Sequence, residues 1–240
     1  MTRNLKALGL ALVAALALSA VAASAASAEP AKFTAAVGAG VLSQIHGEQS
    51  GGGAGVDTFK IGTLPPLTCV TAKETGFGEE TVNKEHVHKK GPEAASATFT
   101  PEYVTCHVVL LGITKPVTVT LNGCTYTFTA TKDKAAGTFS ADLTICNTGG
   151  PIEIHVYNDA AHKEVLCTYD VTEQTINDQI TLTNIAGSPS DVLAHINATV
   201  AVDNTIPGGI CSSSTSAVYT GTHTLRATDA EGKFVNTSVS

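Results

Sequence analysis

Tryptophan is absent from the chain, methionine occurs once, and aromatic residues make up only 5% of the 240 positions. Positive charge is also scarce, because 14 Lys and Arg face 21 Asp and Glu, which gives a formal net charge of −7. An acidic surface repels phosphate, so we expect no nucleic-acid partner. With few rings available, aliphatic residues and threonine, which suit pleated strands, must supply most of the folded structure.

The sequence also lacks the short motifs of common catalytic and cofactor sites. It contains no P-loop, no G-x-G-x-x-G, no H-E-x-x-H, no EF-hand loop, and no G-x-S-x-G or S-x-x-K box. No C-x-x-C pair occurs, which disfavours structural zinc and thiol redox chemistry. We therefore predict no catalytic residues and no cofactor.

The start of the chain has the features of a secretory signal peptide. Arg3 and Lys6 give a positive start, an Ala/Leu-rich apolar stretch follows at 8–22, and a small-x-small cleavage site lies at 26–28. The apolar stretch is shorter than the roughly 20 residues needed to cross a bilayer. We predict that residues 1–28 are removed from the mature protein.

The rest of the chain, residues 29–240, is predicted to fold as one all-β domain with a polar excursion at 83–97. Loss of Arg3 and Lys6 with the leader would lower the net charge from −7 to −9. No later segment has the apolar composition of a membrane span. We expect a soluble protein that is secreted, extracellular or associated with the cell envelope.

Export determines how the cysteines are interpreted. Their number is even and they are spread through the chain, a pattern typical of disulfides in oxidising compartments. The alternatives, which are some unpaired cysteines or a metal or catalytic use, stay open at this point. We predict three disulfides among Cys69, Cys106, Cys124, Cys146, Cys167 and Cys211.

The clearest local pattern is a β-hairpin centred on Asn122-Gly123. Apolar residues alternate with threonines over 117–121 before this dipeptide and over 124–131 after it. Asn-Gly accepts the positive φ angles of a two-residue hairpin turn. We predict that these two strands pair, with Val119 facing Tyr126.

The same alternation marks further strands. Residues 138–146 match the strand before them when Phe128 faces Ala141, and 192–202 carry the longest clean alternation. Outside the leader, no long stretch has the 3.6-residue apolar period of a helix. We predict an all-β fold of roughly a dozen antiparallel strands, either a β-sandwich or an up-and-down (meander) barrel, held by disulfides. Other candidate strands lie at 31–37, 56–61, 67–73, 103–111, 152–156, 165–169, 176–185, 217–227 and 233–239.

This register also bears on disulfide pairing. It places Cys124 opposite Ile145 and turns Cys146 to the other face, because successive side chains of a strand alternate. Cys124 is then expected to bond to Cys106, around the Asn-Gly turn, rather than to Cys146.

Two small groups of polar residues could carry chemistry. His86 and His88 would point the same way in an extended segment, and neutral imidazole binds zinc and copper. The lysines at 84, 89 and 90 oppose a bound cation, so we predict a solvated loop and no metal site there. Asp142 and Glu153 lie on the polar faces of candidate neighbouring strands, where paired carboxylates could serve glycoside hydrolysis.

Five short motifs occur in a fixed order along the chain. They are NGCTYTF at 122–128, Cys146, PIEIH at 151–155, GGIC at 208–211 and YTG at 219–221. Together they resemble a group of uncharacterised exported proteins of high-GC bacteria, over roughly residues 60–228. The resemblance implies secretion and a disulfide-bonded β fold. It implies no activity and transfers no functional residues.

Three functions are compatible with the sequence. The first is a non-enzymatic exported β-domain that acts as a binding or structural module, with a cell-surface or small-molecule partner. The second is a carrier that holds a small apolar ligand inside a barrel. The third, which has the least support, is an unfamiliar hydrolase that uses Asp142 and Glu153.

Overall fold

The computed structural model describes residues 31–36, 42–49, 56–69, 89–90, 93–146, 148–206, 210–229 and 231–240. All of them belong to one compact unit that extends from Ala31 to Ser240. The predicted signal peptide, residues 1–28, lies outside the described residues. Across the described ranges the regular structure is β-strand without any helix, which confirms the all-β fold class. These ranges accordingly contain no helix that is long and apolar enough to cross a bilayer.

Most of the longer strands lie where the alternation of the sequence predicts them. The strands are β1 (Phe33–Ala35), β2 (Leu42–Gln49), β3 (Asp57–Ile61), β4 (Leu67–Cys69), β5 (Lys89–Lys90), β6 (Glu93–Ala94), β7 (Ser96–Phe99), β8 (Cys106–Leu110), β9 (Ile113–Thr120), β10 (Tyr126–Ala135), β11 (Thr138–Ile145), β12 (Ile152–Tyr157), β13 (Val165–Val171), β14 (Gln174–Ile185), β15 (Asp191–Ala201), β16 (Asp203–Ile206), β17 (Ser216–Thr228), β18 (Phe234–Val235) and β19 (Thr237–Val239). Of these, β2, β5, β6, β7 and β16 were not predicted.

Most of these strands form one antiparallel sheet that curls into a half-barrel. A first arm runs in the order β16-β13-β12-β9-β8-β4-β3, and a second arm runs β15-β14-β11-β10-β7. Strand β17 joins the arms, because it bonds to β15 along one edge and to β3 and β2 along the other. A separate small sheet has the order β19-β1-β6.

The core is built from one face of the strands. In β15 the apolar members of the alternation are buried and the polar members are exposed, as the sequence predicts. The same pattern holds in β12, where Ile152, Ile154 and Val156 are buried. Burying a side chain of this size contributes about 1.5–3 kcal/mol, so the alternating faces supply most of the drive to close the sheet.

The predicted hairpin at Asn122-Gly123 is wrong, although its turn is real. Both residues have positive φ, at 50° and 77°, and Cys124 N donates to Leu121 O at 2.7 Å. The flanking strands nevertheless separate after the turn. Strand β9 pairs with β8 and β12, and β10 pairs with β7 and β11, so Val119 faces Ile154 instead of Tyr126.

The turn serves as a connection between the two arms. A second connection, which links β11 to β12, runs beside it. Gly150 N donates to Asn122 O at 2.8 Å, and a β-carbon on Gly149 would lie 2.2 Å from the carbonyl carbon of Gly123. Only glycine allows two backbones to approach this closely.

A disulfide joins the two connections and corrects the predicted pairing of the cysteines. The bonds are Cys69–Cys106, Cys124–Cys146 and Cys167–Cys211, which confirms three disulfides but not a Cys106–Cys124 bond. The register between β10 and β11 is shifted by two residues from the predicted one, with Phe128 facing Leu143. Cys146 has a φ of 56°, which ends the alternation and turns its side chain toward Cys124.

A two-residue hairpin does occur, but at Leu111-Gly112, between β8 and β9. Leu111 has a φ of 51° and is 90% exposed, so an aliphatic residue occupies a left-handed position that Asn or Gly normally fills. Val109 and Ile113 on either side are also exposed. The tip of this hairpin is therefore apolar on its outside.

Candidate functional site

A cleft lies between the two arms of the sheet and has a cavity of about 30 Å³. Its walls are mainly aliphatic, and one end carries polar side chains from β3, β10 and β17 and from the loop before β8. The cavity has room for about two water molecules, and it is much smaller than the roughly 150 Å³ void that accepts benzene. The aliphatic walls include Leu67, Val119, Ile145, Ile154, Val171 and Val200.

The polar end is built around a buried Asp–His pair. Asp57 begins β3 and is 6% exposed, and His223 on β17 is 2% exposed. Asp57 Oδ1 lies 3.3 Å from His223 Nε2. Both side chains lie over Gly221, since a β-carbon at that position would lie 2.1 Å from Asp57 Oδ1 and 3.1 Å from His223 Nε2. The missing side chain at 221 therefore makes the space that the pair occupies.

Three tyrosine hydroxyls extend this pair into a chain. Tyr219 OH lies 3.2 Å from His223 Nε2, and Tyr103 OH donates to Tyr219 OH at 3.3 Å. Tyr126 OH lies 2.8 Å from Tyr103 OH. Because Tyr103 has one hydroxyl proton and gives it to Tyr219, the proton between Tyr126 and Tyr103 must come from Tyr126.

The surroundings hold these hydroxyls in their neutral form. Burial raises the pKa of Tyr103 and Tyr219 well above the ordinary tyrosine value, and the negative charge of Asp57 adds to the effect. Burial also raises the pKa of Tyr126. A phenolate in this cleft would lose its hydration and face a carboxylate, so all three groups stay protonated donors well beyond neutral pH.

Tyr103 differs from the other members because it lies on a loop. The loop connects β7 to β8, and Tyr103 remains partly exposed while its hydroxyl bonds into the cleft. The Cys69–Cys106 disulfide fixes the chain three residues after Tyr103, and Cys69 itself lines the cleft. Tyr103 thus covers the polar end of the cleft from a loop that the disulfide anchors.

The geometry does not match a nucleophile–base–acid relay. In such a relay the acid holds one imidazole nitrogen while the other nitrogen takes a proton from the nucleophile. Here Asp57 Oδ1 and Tyr219 OH both lie next to the same nitrogen, His223 Nε2. This arrangement can bind and orient a polar group, but it cannot pass a proton through the ring from hydroxyl to carboxylate.

The histidine pair singled out from the sequence, His86 and His88, lies outside the described residues, so that prediction stays a prediction. Among the described residues, no group of three or more His, Cys, Asp and Glu side chains is arranged to hold a metal ion. All six cysteines are in disulfides, so none of them is available as a thiol.

The expectation that Asp142 and Glu153 lie on neighbouring strands is wrong. Asp142 is on β11 in the second arm and Glu153 is on β12 in the first arm, and neither strand pairs with the other. Asp142 Oδ1 accepts a hydrogen bond from Asp178 N, and Glu153 Oε1 accepts one from Asn122 Nδ2. Each carboxylate instead supports an irregular stretch of backbone.

The Asp57, His223 and tyrosine cluster was missed from the sequence, although two signals were present. Asp57 lies on the same face of its strand as the apolar Phe59 and Ile61. A carboxylate buried on such a face requires a hydrogen-bond or charge partner. Gly221 interrupts a strand, which often marks the close approach of another group. The two signals can be assigned to the same site only when β3 and β17 are known to be neighbouring strands.

No family model, curated protein or solved structure matches the chain. The cleft must therefore be interpreted from its own chemistry.

Proposed function

We propose that the protein is an exported, non-catalytic binding domain whose ligand site is the cleft between the two arms of the sheet. The observation that carries this proposal is that Asp57, Tyr103, Tyr126 and Tyr219 meet in a mainly aliphatic cavity, with His223 in contact with Asp57 and Tyr219. Binding sites for small molecules commonly combine apolar walls with a few placed polar groups and with side chains of displaced pKa.

The size of the cavity limits what can bind without movement. A space of about 30 Å³ is enough for about two water molecules, so a larger ligand must displace a side chain. Tyr103 is the side chain best placed to move, because it is partly exposed and lies on a loop, whereas Tyr126 and Tyr219 are buried on strands. Its two hydroxyl contacts would be exchanged for contacts with the ligand.

Two further observations support a non-catalytic exported role. The shared nitrogen of His223 gives no relay for nucleophilic catalysis, as described above. Three disulfides are typical of proteins that work in an oxidising compartment, as the predicted signal peptide also implies. Turnover in a broad hydrolase panel that disappears in His223→Gln would contradict this part of the proposal.

Methyl NMR with 1-butanol as the probe tests whether the cleft binds a ligand. We expect saturable chemical-shift changes at Ile145, Ile154 and Val171, which line the cleft. The exposed Val109 and Ile113 of the hairpin tip provide the internal reference and should shift only weakly and linearly. Larger shifts at the tip than in the cleft would overturn the proposal.

Variants of Tyr103 test the role of the cover. Tyr103→Ala removes the ring that must be displaced, so the affinity for 1-butanol should rise about tenfold, which corresponds to about 1.4 kcal/mol. Tyr157→Ala is the matched control, since Tyr157 stacks on His162 away from the cleft. Tyr103→Phe keeps the ring and should bind more like the parent. Equal affinity in all four proteins would show that Tyr103 does not control access.

A further inference from the structure

One acceptor at the polar end of the cleft is left without a hydrogen bond. Within the described part of the chain, Asp57 Oδ1 is buried and receives no hydrogen bond of normal geometry, although His223 Nε2 lies 3.3 Å away. Asp57 is 94% buried and lines the cavity. Burying a carboxylate oxygen without a donor is unfavourable, so a group that supplies one should be bound there.

The tyrosine protons do not give Asp57 Oδ1 a hydrogen bond of normal geometry in this arrangement. Tyr126 donates to Tyr103, Tyr103 donates to Tyr219, and Tyr219 lies against His223 Nε2. Tyr126 and Tyr103 use their protons within the chain, and the single proton of Tyr219 lies between His223 Nε2 and Asp57. A donor on a bound molecule would give Asp57 Oδ1 a full hydrogen bond and leave the Tyr219 proton to His223.

Resting on the proposed binding function, we infer that the ligand of the cleft is a small molecule with an apolar body and one hydrogen-bond donor, a hydroxyl or an ammonium group, directed at Asp57 Oδ1. The aliphatic walls select the apolar body. The charge of Asp57 repels anions in a site with little water to screen it. A ligand with acceptors alone leaves Asp57 without a partner and gains only the contact with the walls.

A pair of isomers tests the donor directly. 1-Butanol and diethyl ether have the same atoms, but only the alcohol can donate a hydrogen bond. Titrated into the full oxidised protein and followed at the cleft methyls, 1-butanol should bind at least about tenfold more tightly, since a hydrogen bond to a charged group contributes about 1.5–3 kcal/mol. Butylammonium should bind at least as well as the alcohol, and butyrate should bind much more weakly.

The outcomes separate this inference from the proposed function. Equal binding of the alcohol and the ether would overturn the donor inference and leave the cleft as a binding site. Failure of every probe to shift the cleft methyls would overturn the proposed function itself. Butyrate binding as tightly as butylammonium would also contradict the inference.

Asp57→Asn provides the matched variant because it keeps the size of the side chain and removes its charge. We expect it to abolish the preference of the protein for butylammonium over butyrate. Asp203→Asn, on the exposed strand β16, is the control and should leave the preference intact. Should Asp57→Asn fail to fold, the isomer comparison on the parent protein still decides the matter.

Discussion

The carboxylate of Asp57 occupies the space where a side chain on Gly221 would be. A β-carbon at position 221 would lie 2.1 Å from Asp57 Oδ1, well inside van der Waals contact. The two residues are far apart in sequence and meet because β3 and β17 pair, with Thr58 facing Thr220. The absence of a side chain at Gly221 is thus explained by the side chain of Asp57, which comes from a different part of the chain.

Gly221→Ala should destabilise the fold by about 2–3 kcal/mol, because overpacking a filled site forces side chains or backbone to shift. The free energy of unfolding in denaturant measures the effect. In an Asp57→Ala background the same substitution should cost at least about 1 kcal/mol less, since the clash has been removed. Gly137→Ala is the control: its φ is 74° and no atom lies near the added carbon, so its cost should not depend on Asp57. Equal costs of Gly221→Ala in the two backgrounds would refute the contact.

The buried tyrosines should make the protein sensitive to alkali. Because the pKa values of Tyr103, Tyr126 and Tyr219 are raised in the folded state, folding favours their protonated forms. Their contribution is fully present below about pH 10, the unfolded value, and is lost as the pH rises above it. Each group adds a slope of up to about 1.4 kcal/mol per pH unit.

This slope can be measured as the free energy of unfolding between about pH 9 and about pH 12. Tyr126→Phe should lower this slope by the contribution of one tyrosine, up to about 1.4 kcal/mol per pH unit. An unchanged slope in both Tyr126→Phe and Tyr103→Phe would mean that folding does not raise the pKa of these hydroxyls, contrary to the geometry of the cleft.

The Cys124–Cys146 disulfide should contribute about 3 kcal/mol, the entropy expected for closing its loop, with a sequence separation of 22 residues. Cys124→Ser together with Cys146→Ser should lower the free energy of unfolding by about this amount. The corresponding change at Cys167 and Cys211, separated by 44 residues, should cost slightly more. A peptide map of the unreduced protein that linked Cys124 to Cys106 would rule out the pairing itself.

Leu111→Asn should stabilise the protein by about 1 kcal/mol. Asn tolerates the left-handed backbone at this position better than Leu, and Leu111 loses little because it is 90% exposed. Val109→Asn, in the extended strand next to it, is the control and should destabilise instead. Loss of stability in Leu111→Asn would indicate that the leucine makes a contact that its exposure does not suggest.

Alternation in the sequence predicted where most of the longer strands lie and which side of them is buried, but it missed β2, β7 and β16 and did not predict which strands pair. Val119 would find an apolar partner in Tyr126 or in Ile154, so the pattern itself does not distinguish the two. The register of β10 against β11 shows the same limit, because a slip of two residues keeps every side chain on its face. Only the backbone at Cys146, which leaves the extended conformation, decides the disulfide.

The site was harder to predict than the fold for a related reason. Each of its members has an ordinary local explanation, and their meeting depends on the order of strands in the sheet. Asp57 and His223 come together through the pairing of β3 with β17, and Tyr103 arrives from a loop. The opposite holds at Asn122-Gly123. The turn that the sequence predicts does form, but the strand after it lies in the other arm and does not pair with the strand before it.

The position of β17 makes the cleft depend on a late part of the sequence. Among the described strands it alone pairs with strands of both arms, and it carries Tyr219, Gly221 and His223. A molecule in which β17 has not docked therefore lacks the strand that joins the arms and three residues of the polar end of the cleft. Only the completely folded protein would then bind the ligand, and a partly folded form would not.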